Sequence, residues 1–260
     1  MKPYYQDSYV TIYLGDCREV LPELPKVDLV LTSPPFNLGD VHHTDNYKHS
    51  PYPDELPEGE YQQQQIDILN LCWDITKSDG SLFYEHKNRI RDGLQISPYR
   101  WLFRTKWLDK QEIVWENRSP SFDPIRFFPK TQRVYWLVKQ PETKLENNDL
   151  MLEDLWRLMP EGSHKAHARA FPERMPDRIL ACFPSKSLIL DPFLGSGTTC
   201  YCAKKLNRRC IGIEISEEYC HIAATRCSQM VLDLSNTQSN IGSDASPANT
   251  DRQPSLLEES

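Results

Sequence analysis

The sequence lacks several patterns that would assign it to common classes of protein. Among its 260 residues there is no stretch long and apolar enough to cross a bilayer, and the first residues lack the apolar stretch of a signal peptide. Its eight cysteines include no Cys-x-x-Cys pair and no Cys/His spacing typical of zinc ligands. These absences predict a soluble cytoplasmic protein without a metal site, whose cysteines stay reduced and pack as small hydrophobic residues.

Short β-type runs alternate with helix-compatible stretches, which predicts an α/β fold with a mostly parallel sheet and helices on both faces. Continuous apolar runs such as VDLVL favour central strands that are buried on both sides. The predicted helices cover 61–76 and 198–207. The predicted strands cover 10–14, 27–32, 81–86, 112–117, 132–139, 187–191 and 209–215.

Three segments do not fit this alternation: the loop at 38–60, a polar bridge at 140–150 and the tail from about residue 235. Residues 38–60 and 86–131 are predicted to be inserted loops, the first because long loops inside compact domains are usually functional or disordered. From residue 235 to 260 the chain is polar with almost nothing to bury, which predicts a disordered tail. The expected organisation is therefore a single domain over residues 1–234 followed by that tail.

The net charge of −7 argues mildly against a nucleic-acid partner, but the charge is unevenly distributed. Residues 81–144 carry 13 Lys/Arg against 7 Asp/Glu. Basic and aromatic residues that alternate in this way can hold a phosphate backbone and stack on an unpaired base, although a solvated surface with core aromatics explains the charge equally well. The aromatic residues in question are Trp101, Phe103, Trp107, Trp115, Phe122, Phe127 and Phe128.

A Gly-rich turn follows the predicted strand that ends at Asp191. Gly195 and Gly197 permit a tight turn with close approach of the backbone to a ligand, and a helix opens at Thr198. The next predicted strand brings Glu214, an acidic residue of the kind that binds ribose hydroxyls. Because GxGxxG and GKS/GKT patterns are absent, the site favours a nucleotide-type cofactor other than NAD or ATP.

A second motif follows the predicted strand VDLVLT. Ser33, Pro34, Pro35 and Phe36 form a stiff segment, because two consecutive prolines remove two backbone donors and restrict the preceding residues. It offers hydroxyl and carbonyl acceptors for an amino group and a ring for stacking on a planar base. An ordinary strand-ending turn is the alternative for this tetrapeptide taken alone.

Together, DPFLGSGTT (191–199) and TSPPF (32–36) resemble the cofactor and catalytic motifs of DNA amino-methyltransferases. The catalytic motif comes first, an order that resembles the permuted β group of these S-adenosylmethionine-dependent enzymes. YLGDCREVL (13–21), HARAFPERMPDRIL (167–180) and GIEISEEYCHIAATR (212–226) are similar to further segments of that group. The resemblance covers roughly residues 9–230 and implies a Rossmann-like methyltransferase fold.

The resemblance implies a role for each matching residue. Ser33, Pro34, Pro35 and Phe36 would hold a base flipped out of double-stranded DNA. Glu214 would bind the ribose of S-adenosylmethionine, and His167 is either a participant in the site or a local hydrogen-bonding residue. The remaining residues expected at the cofactor are Asp16, Cys17, Phe171, Pro172, Asp191, Pro192, Phe193, Gly195, Ser196, Gly197 and Thr198.

The implied reaction is direct methyl transfer to an exocyclic amine. C5-cytosine methylation is excluded because the sequence has no Pro-Cys pair to supply the nucleophile. Serine before the prolines resembles N4-cytosine enzymes, and N6-adenine remains the alternative. RNA or protein-glutamine methylation and a non-catalytic DNA-binding subunit are more remote.

No large recognition domain fits between the motifs. Expected DNA contacts therefore fall on loop residues: His42, His43, Lys87, Arg89, Arg91, Arg118 and Arg126. The sequence leaves open whether the chain dimerises and whether a cognate restriction endonuclease accompanies it.

Overall fold

A nine-stranded mixed sheet organises the fold of this computed structural model, which describes residues 1–39, 54–116, 123–147, 152–158 and 171–237. Within these ranges the strands are β1 Tyr5–Gln6, β2 Val10–Leu14, β3 Val27–Thr32, β4 Thr76–His86, β5 Arg89–Arg91, β6 Leu94–Ile96, β7 Leu108–Glu116, β8 Thr131–Val138, β9 Leu155–Arg157, β10 Leu188–Asp191 and β11 Arg209–Glu214. The helices are α1 Cys17–Val20, α2 Glu58–Ile75, α3 Tyr99–Leu102, α4 Arg174–Ala181, α5 Thr198–Lys205 and α6 Glu217–Thr237.

The order of the strands across the sheet is β1-β2-β11-β10-β3-β4-β8-β7-β9. The five strands from β2 to β4 in this order are parallel to one another. Antiparallel pairing joins β1 to β2, β8 to β4 and β7 to β8, and the short β9 lies parallel to β7. β5 and β6 form a separate antiparallel hairpin. The predicted α/β class with a mostly parallel sheet is confirmed.

Helices cover both faces of the sheet, as predicted. Side chains alternate along β3, so that Leu29 and Leu31 enter one core and Val30 enters the other. The first core contains residues of α4, α5 and α6, and the second contains residues of α2 and α3. All eight cysteines are buried as free thiols, which confirms their expected role as small hydrophobic residues.

Two strands that are far apart in the chain lie side by side at the centre of the sheet. β3 precedes the predicted catalytic segment and β10 precedes the Gly-rich turn, and Leu29 and Val30 pair with Ile189 and Leu190. Parallel strands present their carboxyl ends at the same edge, so the two motifs meet there despite their separation in sequence. We call this edge the carboxyl edge.

The segments expected to be loops contain more regular structure than the sequence suggested. Residues 86–131 include the β5–β6 hairpin, α3 and β7. The hairpin was not predicted because strands as short as Arg89–Arg91 have too weak a sequence pattern to be recognised. In 38–60, α2 already begins at Glu58, and residues 40–53 lie outside the described residues.

The residues on either side of the gap at 40–53 are hydrogen-bonded to each other. The backbone N–H of Asn37 donates to Asp54 Oδ1 at 2.5 Å, and the N–H of Gly39 donates to the Asp54 carbonyl at 2.7 Å.

α6 extends to Thr237, and residues 238–260 fall outside the described part, so the disordered tail stays a prediction. No helix among the described residues is both long and apolar enough to span a membrane.

Candidate active site

The carboxyl edge brings together most of the residues that the sequence singled out. Asp16 follows β2, and the segment from Ser33 to Phe36 follows β3. The turn 192–197 follows β10, and Glu214 ends β11. Phe171 and Pro172 are buried just before α4, with Phe171 in the core on the α4–α6 side of the sheet. His167 lies outside the described residues.

Asp191 joins the two motifs directly. Its Oδ1 accepts hydrogen bonds from the Thr32 hydroxyl at 2.8 Å and from the Phe193 N–H at 3.1 Å, and its Oδ2 accepts one from the Thr199 hydroxyl at 2.6 Å. Burial raises the pKa of this carboxyl to about 6. Asp191 therefore holds the end of the catalytic strand, the Gly-rich turn and the first turn of α5 in one arrangement.

The Gly-rich turn depends on glycine at two positions. Gly195 has φ +53° and Gly197 has φ +85°, a region that residues with a side chain rarely adopt. A Cβ on Gly197 would also lie 2.8 Å from the Cβ of Ala223 on α6. The turn thus lets α5 begin close to both α6 and the carboxyl edge.

Glu214 is oriented by backbone groups. Its Oε2 accepts the N–H of Gly195 at 2.8 Å, and its Oε1 accepts the N–H of Ser216 at 2.8 Å. Burial raises the pKa of this carboxyl above its ordinary value. Each oxygen retains a lone pair after these bonds, so the carboxylate can still accept from a hydroxyl group.

Asp16 and Cys17 lie on the neighbouring strand end. Asp16 caps α1 by accepting from the Arg18 N–H at 2.9 Å, and its side chain is also bound by the Arg18 guanidinium, which lowers the pKa of Asp16. Burial raises the pKa of the Cys17 thiol to about 12, so Cys17 is protonated at neutral pH. Cys17 can therefore contribute packing at this position but not a thiolate.

The residues of the catalytic segment differ in exposure. Pro34 is buried, whereas Ser33, Pro35 and Phe36 are half-buried. The Phe36 ring lies 4.7 Å from the His86 ring, centroid to centroid. The Ser33 hydroxyl donates to Glu85 Oε2 at 2.5 Å. The segment therefore presents a fixed hydroxyl and an aromatic ring next to the cofactor motif.

Glu85 is a site residue that the sequence analysis missed. It lies near the end of β4, is buried, and its Oε1 has no hydrogen-bond partner among the described residues. Burial raises its pKa to about 7 despite the hydrogen bond from Ser33. The available signal was an acidic residue at the end of a predicted parallel strand, the same signal that identified Asp191 and Glu214.

The expected DNA contacts are corrected at Arg89. Arg89 is buried and makes two hydrogen bonds to Glu58, at 2.8 and 2.9 Å, which tie β5 to the start of α2. Three of the aromatics considered for base stacking, Trp101, Trp107 and Trp115, are core residues. Phe103, Phe127 and Phe128 are exposed. Expected contacts His42, His43 and Arg118, and the aromatic Phe122, lie outside the described residues.

Comparisons with known proteins agree with this geometry. The DNA methylase family model (N6_N4_Mtase) matches residues 27–225. Type II methyltransferase M.ScaI of Streptomyces caespitosus is 30% identical over 86% of this chain and 83% of its own length. Type II methyltransferase M.BglII of Bacillus subtilis is 28% identical over 82% of this chain and 67% of its own length.

Solved structures share the fold. The PvuII DNA methyltransferase (cytosine-N4-specific) has a TM-score of 0.73 at 24% identity, covering 90% of this chain and 94% of that one. The M1.HpyAVI–SAM complex has a TM-score of 0.60 at 22% identity, covering 84% and 98%. The expected Rossmann-like methyltransferase architecture is confirmed. The chain belongs to the N6/N4 DNA methylase family and is a DNA methyltransferase.

Proposed function

We propose that this methyltransferase transfers a methyl group from S-adenosylmethionine to the exocyclic amine of a flipped DNA base, N4 of cytosine in preference to N6 of adenine. The observation that carries the proposal is the Ser33–Glu85 hydrogen bond beside the cofactor motif. Serine in this position resembles N4-cytosine enzymes. The PvuII enzyme, which shares the fold, is named as cytosine-N4-specific.

The described residues fit S-adenosylmethionine. Glu214 has lone pairs for the ribose hydroxyls, and the Gly-rich turn allows close approach of the methionine part. Asp16 and Cys17 would face the adenine. Phe171 and Pro172 would close the pocket. The remaining proposed cofactor contacts are Asp191, Pro192, Phe193, Ser196 and Thr198. When bound, the cofactor supplies an electrophilic methyl group on its sulfonium.

Ser33 is set up to accept a hydrogen bond from the target amine. Its only proton is donated to Glu85, so its oxygen lone pairs are left for an N–H donor. The Pro34 carbonyl can accept from the second N–H of the amine. Two fixed acceptors would draw the nitrogen lone pair out of the ring and towards the methyl group, and Phe36 would stack on the base.

Glu85 provides a place for the proton that the amine must lose. As the N–C bond forms and the S–C bond breaks, the amine nitrogen becomes positively charged. An N–H proton can pass to Ser33 Oγ while the Ser33 proton passes to Glu85 Oε2 at 2.5 Å. A carboxyl with a pKa of about 7 is suited to accept a proton near neutral pH.

The proposed DNA-contacting surface is the β5–β6 hairpin together with residues 123–130. Arg126 connects these two parts, because it donates to Asp123 Oδ2 at 2.8 Å and to the Gly93 carbonyl at 3.5 Å. The surface exposes Leu94, Ile125 and Phe127 among basic residues. It adjoins the carboxyl edge, since β4 leads into the hairpin and residues 123–130 lead into the start of β8. Basic residues interleaved with apolar ones suit a phosphate backbone and unstacked bases.

Two biological elements belong to the same proposal. The enzyme would act in the cytoplasm, and a cognate restriction endonuclease would be its partner, because its relatives are named type II methyltransferases. Dimerisation stays a prediction.

Nucleoside analysis tests the proposed reaction. Plasmid DNA is incubated with the protein and labelled S-adenosylmethionine, digested and separated by mass spectrometry. N4-methylcytosine is the expected product. N6-methyladenine as the only product would refute the cytosine preference, and unlabelled DNA would refute the catalytic assignment.

A serine variant tests the proposed acceptor. Ser33→Ala should lower single-turnover methylation by about 10²- to 10³-fold, the usual effect of removing one preorganised polar group. Affinity for the cofactor, measured by calorimetry, should stay within twofold. Ser228→Ala on the exposed side of α6 serves as the matched control. Equal losses of cofactor affinity and turnover in Ser33→Ala would contradict its role towards the amine.

A further inference from the structure

A buried tyrosine forms a hydrogen bond with the catalytic segment, residues 33–36. Tyr61 of α2 is completely buried, and its hydroxyl donates to the Pro35 carbonyl at 2.8 Å. That carbonyl belongs to the peptide that joins Pro35 to Phe36. Since neither proline can donate a backbone hydrogen bond, this contact is one of few ways in which the segment can be fixed in orientation.

A histidine completes the support. His86 Nε2 lies 2.8 Å from the Tyr61 hydroxyl, and the His86 ring packs against Phe36 at 4.7 Å. His86 Nδ1 lies 2.7 Å from the Lys87 carbonyl, so both ring nitrogens have polar partners, and the tautomer decides which of the two donates. Burial lowers the pKa of His86 to about 3, against the hydrogen bond with the Lys87 carbonyl and together with the positive charges of Arg89 and Lys87, and the ring is therefore neutral.

Two further side chains, those of Arg89 and Trp101, hold the Tyr61 ring in place. The Arg89 guanidinium lies 4.7 Å from the centroid of the Tyr61 ring while it binds both carboxylate oxygens of Glu58. Trp101 packs edge-on against Tyr61 at 5.8 Å. The Tyr61 ring is thus held on two sides, and its hydroxyl has a defined position relative to Pro35.

We propose that Tyr61 and His86 are positioning residues for methyl transfer, which fix the Pro35–Phe36 peptide so that Phe36 meets the flipped base in the productive orientation. The inference rests on the proposed function of the catalytic segment. Neither residue touches the reacting atoms. Their effect is on turnover, because a displacement of about 1 Å in a base-holding group can lower a rate about 100-fold.

A matched pair of hydroxyl deletions tests this inference. Tyr61→Phe keeps the ring and removes the contacts of the hydroxyl with Pro35 and His86. Tyr135→Phe removes another buried hydroxyl of the same aromatic cluster. The single-turnover rate on plasmid DNA should fall about 10- to 100-fold in Tyr61→Phe and less than twofold in Tyr135→Phe. Cofactor affinity should be unchanged in both, and thermal unfolding shows whether the two folds remain comparable.

A double variant separates positioning from a general structural defect. If Tyr61 acts through Phe36, Tyr61→Phe should cost little further activity in a Phe36→Ala background, because the ring that it positions is already absent. Additive losses, or equal rates in Tyr61→Phe and Tyr135→Phe, would overturn the inference. A wild-type product of N6-methyladenine would change the base in the proposed function and leave this test intact.

Discussion

Replacing Glu85 with glutamine should remove a pH dependence from both turnover and stability. The wild-type carboxyl has a pKa of about 7 because it is buried, against 4.5 for an exposed glutamate. If its carboxylate accepts the proton that Ser33 relays, single-turnover methylation should rise with pH and level off above about pH 7. Below that pH the rate should fall about tenfold per pH unit, since only the ionised fraction is active.

The amide in Glu85→Gln keeps the size of the side chain and cannot take up the proton. Its rate should be about 10²- to 10⁴-fold below wild type at pH 8, and the rise with pH should disappear. Single-turnover rates are required because slow product release would hide the chemical step. Glu23→Gln, at an exposed site, is the control.

Stability should change with pH in the opposite sense. A carboxyl whose pKa is higher in the fold than in the unfolded chain binds more protons when folded, so the free energy of unfolding falls as pH rises from 4.5 to about 7. At 1.36 kcal/mol per pKa unit, the loss attributable to Glu85 is about 3 kcal/mol. Glu85→Gln should therefore gain stability relative to wild type between pH 5 and pH 8, as measured by urea unfolding. A wild-type rate that is flat between pH 5.5 and 8.5, or a rise that persists in Glu85→Gln, would refute the proposed relay.

Two further variants test other parts of the molecule. Asp191→Ala should lower the free energy of unfolding by at least about 2 kcal/mol as well as weaken cofactor binding, because it leaves two buried hydroxyls and the part-buried N–H of Phe193 without a partner. A loss of cofactor affinity by calorimetry with unchanged urea unfolding would contradict this. Phe127→Ala should weaken DNA binding about fivefold to tenfold by fluorescence anisotropy, since it removes a fully exposed ring from the proposed DNA surface. Phe103→Ala removes another exposed ring, on the chain leading to the start of β7, and should have no such effect.

The sequence predicted the central sheet well because its strands are continuous apolar runs. β2 and β3 have the predicted bounds, and β10 and β11 differ by one residue. In contrast, the β5–β6 hairpin has only three residues in each strand, and Arg89 fixes it through Glu58, 31 residues earlier in the chain. A contact between residues so far apart in the chain produces no local sequence pattern that predicts it.

The sequence predicted the parts of the candidate site whose functional residues lie next to one another in the chain. The segment 33–36 and the Gly-rich turn could be recognised because their residues are adjacent in sequence. Glu85 could not be assigned in this way, since its role depends on Ser33, 52 residues away, and on burial. Arg89 was wrongly expected to contact DNA, because the sequence shows its positive charge but does not show that Glu58 binds it in the interior.

The pairing of β3 with β10 bears on how such enzymes can be rearranged during evolution. The backbone hydrogen bonds between two parallel strands are the same whichever strand is synthesised first. The bond from Thr32 to Asp191 likewise depends on position in space and not on gene order. A rotation of the coding sequence would therefore rebuild the same pair of motifs, provided that the new ends fell outside the sheet. The geometry of the folded site therefore does not depend on the order in which the catalytic and cofactor motifs occur along the chain.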